Sequence, residues 1–151
     1  MEFNGFMQAA LNEARKAAER GEVPVGAVLV SPEGEIVARA GNRTRALSDP
    51  TAHAEVLVIR ERCAELGSER LPGHDLYVTL EPCAMCATAL SAARVRRLYY
   101  GASDPKSGGV EHGAKVFSHA QCHHMPEVYD GIGAVEAAAL LKEFFAQRRQ
   151  V

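Results

Sequence analysis

Two short segments far apart in the chain, His53-Ala54-Glu55 and Pro82-Cys83-Ala84-Met85-Cys86, constrain the fold more than any other feature. Together they offer an imidazole, two thiols and a carboxylate, and a metal held by the first three would force the segments to meet. A structural zinc closes its tetrahedron with four protein ligands, often from two Cys-x-x-Cys arms, whereas a catalytic zinc leaves one corner to water. A second Cys-x-x-Cys is absent here. The pattern reads as an open zinc centre with His53, Cys83 and Cys86 as ligands and Glu55 as a carboxylate that need not be one.

The spacing adds geometry. Cys83 and Cys86, three apart, share one face of a helix whose first position suits Pro82. At a helix N-terminus, free N–H groups and the helix dipole favour thiolate over thiol. His53 and Glu55, two apart, point in nearly opposite directions on a regular helix. They converge only if the metal lies off the helix end, near its first turn, with Thr51 as the expected N-cap. Two helix N-termini are thus expected to meet at one metal.

Two thiolates cancel the charge of Zn²⁺, so water is acidified less here than at a three-histidine zinc, where its pKa falls to roughly 7. A general base is needed, and Glu55 can take the water proton, deliver it to a ring nitrogen and later protonate a leaving amine. The reaction class is hydrolytic deamination of an amino-purine or amino-pyrimidine. A thioredoxin-like redox pair would leave the His-x-Glu without a use. A structural zinc would need His112, His119, His123 or His124 as its fourth ligand.

At 151 residues, the chain reads as one domain, 1–151, long enough to bury about 70% of its unfolded surface without staples. With no apolar run near eighteen residues and no basic-then-apolar leader, neither a membrane span nor a signal peptide is expected, and the default location is cytoplasmic. Of four cysteines, Cys63 reads as a packed apolar residue of a helix and Cys122 sits beside His123 and His124; no disulfide framework is indicated. A net charge of −2 argues against broad affinity for nucleic acid and confines RNA recognition to a local patch.

Helical spacing of Met7, Ala10, Leu11, Ala14, Ala17 and Ala18 predicts an amphipathic helix over 4–20, ended by Gly21. Apolar runs at 25–30 and 36–40 around Pro32-Glu33-Gly34-Glu35 predict a hairpin. A helix over 53–66 packing Val56, Leu57, Ile59, Cys63 and Leu66, a strand at 76–80, a helix at 83–93 and a strand at 97–101 follow. That succession predicts a parallel crossover and a mixed sheet with helices on both faces. Residues 102–126 read as irregular with one short helix, 127–132 as a last strand, and Ala137, Leu140, Leu141, Phe144 and Phe145 as a closing amphipathic helix.

With these elements in hand, the chain resembles the bacterial tRNA-specific adenosine deaminases. The likeness is carried by Glu22-Val23-Pro24-Val25-Gly26-Ala27-Val28, Gly41-Asn42-Arg43, Asp49-Pro50-Thr51-Ala52-His53-Ala54-Glu55 and Tyr77-Val78-Thr79-Leu80-Glu81-Pro82-Cys83-Ala84-Met85-Cys86. It implies a three-layer α/β/α cytidine deaminase-like fold with a central mixed sheet of about five strands, a homodimer, and conversion of the wobble adenosine of a tRNA anticodon to inosine. It also implies zinc on His53, Cys83 and Cys86, proton transfer by Glu55, and a hydrogen bond from Asn42 to the purine, against a plain turn-stabilising role. Asp104 and Lys106 of Gly101-Ala102-Ser103-Asp104-Pro105-Lys106-Ser107 would contact nucleotides around the target base, the alternative being a solvated turn. Phe145, Arg148 and Arg149 close the last helix as in the family: Phe145 reads first as core, and the arginines suit the phosphates of an anticodon stem-loop or simple helix-end solvation. The chain departs at His123-His124-Met125, where relatives read Asn-His-Arg, which leaves one implied RNA contact without its residue. A deaminase of a free nucleobase or nucleoside such as guanine or cytidine would share the zinc motif, and a zinc-stabilised RNA-binding subunit is the non-enzyme alternative.

Overall fold

In the computed structural model, which describes residues 3–149 with side chains from Gly5 to Arg148, the apolar stripe of the first segment becomes helix α1, Phe3–Glu19. Met7, Ala10, Leu11, Ala14 and Ala17 are its fully buried face. Gly21, at φ +82°, turns the chain out of the helix. Strands β1 (Gly26–Val30) and β2 (Ile36–Gly41) form the expected hairpin. Its turn closes with the Gly34 N–H donating to the Ser31 carbonyl at 2.9 Å.

Helix α2 (Ala54–Leu66), strand β3 (Asp75–Leu80), helix α3 (Ala84–Ala92) and strand β4 (Arg97–Ala102) come next. A 3-10 turn at Val116–Ser118, strand β5 (Glu127–Tyr129) and helix α4 (Ala134–Arg149) complete the chain. The five strands lie in the order β2-β1-β3-β4-β5. β1 is antiparallel to β2 and β3, while β4 is parallel to β3 and β5. The α/β fold with a mixed five-stranded sheet is therefore as expected.

Side chains alternate between the two faces of each strand. Ala27, Leu29, Leu76, Val78, Leu98 and Tyr100 pack on one side with Val58 of α2 and Ala87 and Leu90 of α3. Val28, Val30 and Tyr77 pack on the other with α1 and Ala137 of α4. Each such Leu or Val contributes about 1.5–3 kcal/mol by leaving water. On the α1 face, Tyr77, Tyr99 and Tyr129 of the three parallel-running strands stand in register and stack, with ring centroids 4.3 and 5.0 Å apart.

Three elements depart from expectation. The buried face of α2 is Ala54, Glu55 and Val58, with Ile59 and Cys63 packed against the core, while Leu66 is 45% exposed. The helix meets the sheet with its first turns, so its C-terminal end lies at the surface. Strand β5 stops at Tyr129 because Gly131, at φ +77°, bends the chain away. Helix α3 is capped by Cys83, which puts Pro82 before the cap and not at the first helical position. Among the described residues no helix is long and apolar enough to cross a membrane.

Helix α1 and strand β1 approach so closely that a Cβ on Gly26 would overlap the Ala10 carbonyl oxygen and the Ala14 nitrogen. Neither backbone atom can yield without moving the helix. Gly26→Ala is expected to cost about 3 kcal/mol in urea unfolding, whereas Gly34→Ala, with open space around it but a left-handed φ, should cost about 1 kcal/mol. Equal costs would overturn the close-packing account.

Candidate active site

The start of β1, the end of β2 and the carboxyl ends of the parallel pair β3 and β4 lie at one end of the sheet. Open α/β sheets bind ligands at the carboxyl ends of their parallel strands. Every predicted catalytic side chain is carried by the segments that leave this end.

His53 is the N-cap of α2 and Cys83 the N-cap of α3, both in extended backbone, and Cys86 lies in the first turn of α3. His53 Nδ1 is 3.7 Å from Cys83 Sγ and 3.4 Å from Cys86 Sγ. These ligand atoms all lie within 4.8 Å of one another, and among the described residues no other group of three His, Cys, Asp or Glu is so compact. His112, His119 and His124 have other partners. His112 Nδ1 donates to Glu81 at 2.8 Å, His119 Nε2 to the Ala114 carbonyl at 2.6 Å, and His124 Nε2 to the Val95 carbonyl at 2.7 Å. Cys122 packs at the core edge, and its thiol and the Ser91 hydroxyl both donate to the His124 carbonyl.

The chemistry of the trio fits a soft dication. A hydrogen bond from Cys86 pulls the Cys83 thiol down to about 4, with burial opposing and His53 assisting. The same shared proton, with burial and the nearby Glu55, pushes Cys86 up. His53 is raised, chiefly by its hydrogen bond with Cys83. Thiolate is thus favoured at Cys83, and a metal cation would complete the deprotonation of Cys86. Glu55 is 3% exposed and its Oε1 is buried without a hydrogen-bond partner. Burial pushes its carboxyl up to about 7. An orphaned carboxylate oxygen beside two thiols and an imidazole marks a place where a positive centre and a polar ligand belong. Thiolate and imidazole donors suit zinc, one ion per chain.

The expected cap, Thr51, is engaged elsewhere: its N–H and hydroxyl both donate to Asp49 Oδ1, at 2.8 and 2.7 Å. Asn42, just past β2, replaces it, its Oδ1 accepting the Ala54 N–H at 2.8 Å. The Asn42 amide nitrogen is left for the cavity it lines, about 240 Å³, with His53, Glu55, Cys83, Asp104 and Ser107. A groove of about 600 Å³ shares Val23, Leu80, Asp104 and Ser107 with that cavity and runs on to Lys106 and Phe145. Phe145 is 44% exposed, and its neighbour Phe144 is the buried one. The expected core role of Phe145 is corrected: α4 packs along a narrower face than its apolar stripe. Arg148 stacks over Phe144 at 4.4 Å and donates to the Gly21 carbonyl at 3.0 Å, so it ties α4 to the end of α1. The Arg149 side chain lies outside the described residues.

Two buried carboxylates escaped the sequence reading. Glu22, 2% exposed, accepts the Arg45 and Ala46 N–H groups and the Thr44 hydroxyl, which fixes the segment after β2. Glu81 accepts N–H groups from Asp104, Val110, Glu111 and His112 together with the His112 ring. Burial alone would raise both acids, but these donors outweigh it and hold each below the usual carboxylate range. The available signal was an acid abutting an apolar strand run, Leu76 to Leu80 before Glu81 and Val23 to Val30 after Glu22.

The family model for the cytidine and deoxycytidylate deaminase zinc-binding region matches residues 2–102. A tRNA-specific adenosine deaminase of Agrobacterium fabrum (strain C58 / ATCC 33970) is 62% identical over 144 residues, 95% of this chain and 94% of that protein. One from Rickettsia bellii (strain RML369-C) is 45% identical over 95% of this chain and 99% of its own. A solved structure from work on A-to-I editing by tRNA:A34 deaminases at the wobble position of transfer RNA has a TM-score of 0.89 and 63% identity. It covers 91% of this chain and 99% of that one.

Glu22 has a folded pKa below its ordinary value of 4.5. Its stabilising contribution is full above that value and fades as pH falls through the folded pKa. The stability difference between wild type and Glu22→Gln should therefore be largest near neutral pH and shrink in acid. Chemical denaturation across that range checks this, and a difference that stays constant would contradict it.

Proposed function

The chain belongs to the tRNA-specific adenosine deaminase family, and from that premise we propose that it converts the wobble adenosine of a tRNA anticodon to inosine. The observation that carries the reading is the buried, unpartnered Glu55 oxygen beside the His53, Cys83 and Cys86 donors, in a cavity that opens onto a longer groove. His53, Cys83 and Cys86 would hold zinc, whose Lewis acidity lowers the cost of deprotonating water near neutral pH.

Glu55 does the proton work. It takes one proton from the attacking water and passes it to N1 of the purine, and C6 gains the oxygen. It then delivers the second water proton to the departing amine as the C6–N bond breaks, so adenosine and water become inosine and ammonia. Burial pushes the Glu55 carboxyl up to about 7, which opposes permanent ionisation and favours a group that both accepts and returns a proton. A bound cation would draw that value down. Asn42, with its oxygen committed to the start of α2, offers its N–H₂ to a purine acceptor.

The target base must leave its stack to enter the small cavity, while the groove takes its neighbours. Asp104 and Lys106 line that groove, and the exposed ring of Phe145 gives it an aromatic surface on which a base can stack. Arg148 and Arg149 close α4 as cations suited to stem phosphates, with Arg148 also holding α4 to Gly21. In this reading the protein acts as a homodimer in the cytoplasm. A free-base deaminase would use the same cavity but leave the groove without a purpose.

Zinc removal should abolish turnover. His53→Ala should lose both metal and activity, whereas Glu55→Gln should keep stoichiometric zinc and lose about 10²–10⁴-fold in rate. Full activity in Glu55→Gln would refute the proton-transfer role.

Substrate class is tested with an anticodon stem-loop bearing A at the wobble position, beside free adenosine, guanine and cytidine, scoring inosine and ammonia. The stem-loop should be the preferred substrate. Turnover of a free base alone would replace the reading with the free-base enzyme, and RNA binding without ammonia would replace it with the scaffold.

A further inference from the structure

We propose that Glu81 is a positioning residue for the substrate: its buried carboxylate holds the 104–112 loop in the shape that walls the base cavity and the adjoining groove. The proposal rests on the RNA reading above. The Glu81 side chain is 0% exposed. Oε1 accepts the Asp104 N–H at 2.9 Å and the His112 ring at 2.8 Å. Oε2 accepts the N–H groups of Val110, Glu111 and His112 at 3.2, 2.9 and 3.1 Å.

These five donors come from a loop with no helix or strand between Ala102 and Val116. Its shape is therefore set by what its amides donate to. Hydrogen bonds to an ionised acceptor are roughly twice as strong as those between neutral groups. Within the loop, Asp104 Oδ1 accepts the Lys106 and Ser107 N–H groups at 3.2 and 3.0 Å. That turn moves as a unit with the Asp104 backbone, and Glu81 Oε1 holds the Asp104 backbone nitrogen.

Gly108 completes the fit, because a Cβ there would overlap Glu81 Oε2 and come 2.5 Å from the Asp104 carbonyl oxygen. The neighbouring Gly109 N–H donates to the Pro82 carbonyl at 2.8 Å, which joins the loop to the residue before Cys83. Since Glu81 sits two positions before Cys83 in the chain, one carboxylate sets the distance between the zinc donors and the wall that meets the nucleotides.

The test uses zinc-loaded, full-length protein and a labelled anticodon stem-loop. Glu81→Gln keeps the side chain's shape but turns one acceptor into an N–H₂ that faces donors. Gly108→Ala keeps the carboxylate and displaces the loop from it. Both variants should raise KM and Kd for the stem-loop about tenfold with kcat within about threefold of wild type. Both should retain stoichiometric zinc and show faster amide exchange confined to 104–112. Loss of zinc, or a fall in kcat at unchanged KM, would overturn the proposal, since Glu81 would then support the metal ligands. Should Glu81→Gln fail to fold, Gly108→Ala decides alone. If wild type neither binds nor deaminates the stem-loop, the RNA reading falls and takes this proposal with it. If wild type does both and the variants match it, only the role of Glu81 falls.

Discussion

Two helix N-termini face each other at His53 and Cys83, and each presents unsatisfied N–H groups and the positive end of a helix dipole. Like ends repel, so the arrangement needs negative charge close by, and this end of the sheet supplies it in buried form. Glu55 lies in the first turn of α2, Glu81 precedes α3, and Glu22 anchors the segment leading to His53. Glu22 and Glu81 are saturated with donors. Glu55 keeps a bare oxygen. The degree of hydrogen-bond satisfaction separates the acids that shape the site from the acid that reacts.

Much of this was legible in the chain where local rules apply. The two-residue offset of His53 and Glu55 already required a metal beyond a helix end, and the cap geometry agrees. The hairpin, the crossover and the sheet with helices on both faces followed from turn residues and apolar periodicity. What escaped is non-local. The N-cap position of α2 falls to His53, whose side chain caps nothing, and the Ala54 N–H goes to Asn42, twelve positions away, while Asp49 engages Thr51. The donors to Glu81 lie more than twenty positions downstream and include no sequence pattern of their own. Periodicity placed Phe144 and Phe145 on one stripe, yet only packing against α1 and β4 decides which of them is buried.

The same separation divides the functional reading. His53, Cys83, Glu55 and Asn42 line a small cavity at the sheet end, each within or next to a helix or strand. The groove is built from irregular chain and the outer face of α4. In the proposed reading, chemistry rests on the rigid part, and recognition rests on a loop whose amides converge on one buried carboxylate. A net charge of −2 fits a protein that meets RNA through a limited surface and not through a general basic field.

The tyrosine stack on the α1 face also makes the protein its own optical probe. The chain has no tryptophan and four tyrosines, and three of them, Tyr77, Tyr99 and Tyr129, stand ring on ring across β3, β4 and β5 with interplanar angles of 3° and 19°. Near-ultraviolet absorption and circular dichroism of the native state therefore arise mainly from coupled rings whose spacing is the spacing of the parallel strands. A slip of β5 or a loosening of β4 would alter that coupling, so the strand pair that carries Glu81 and Asp104 can be followed in solution without a label.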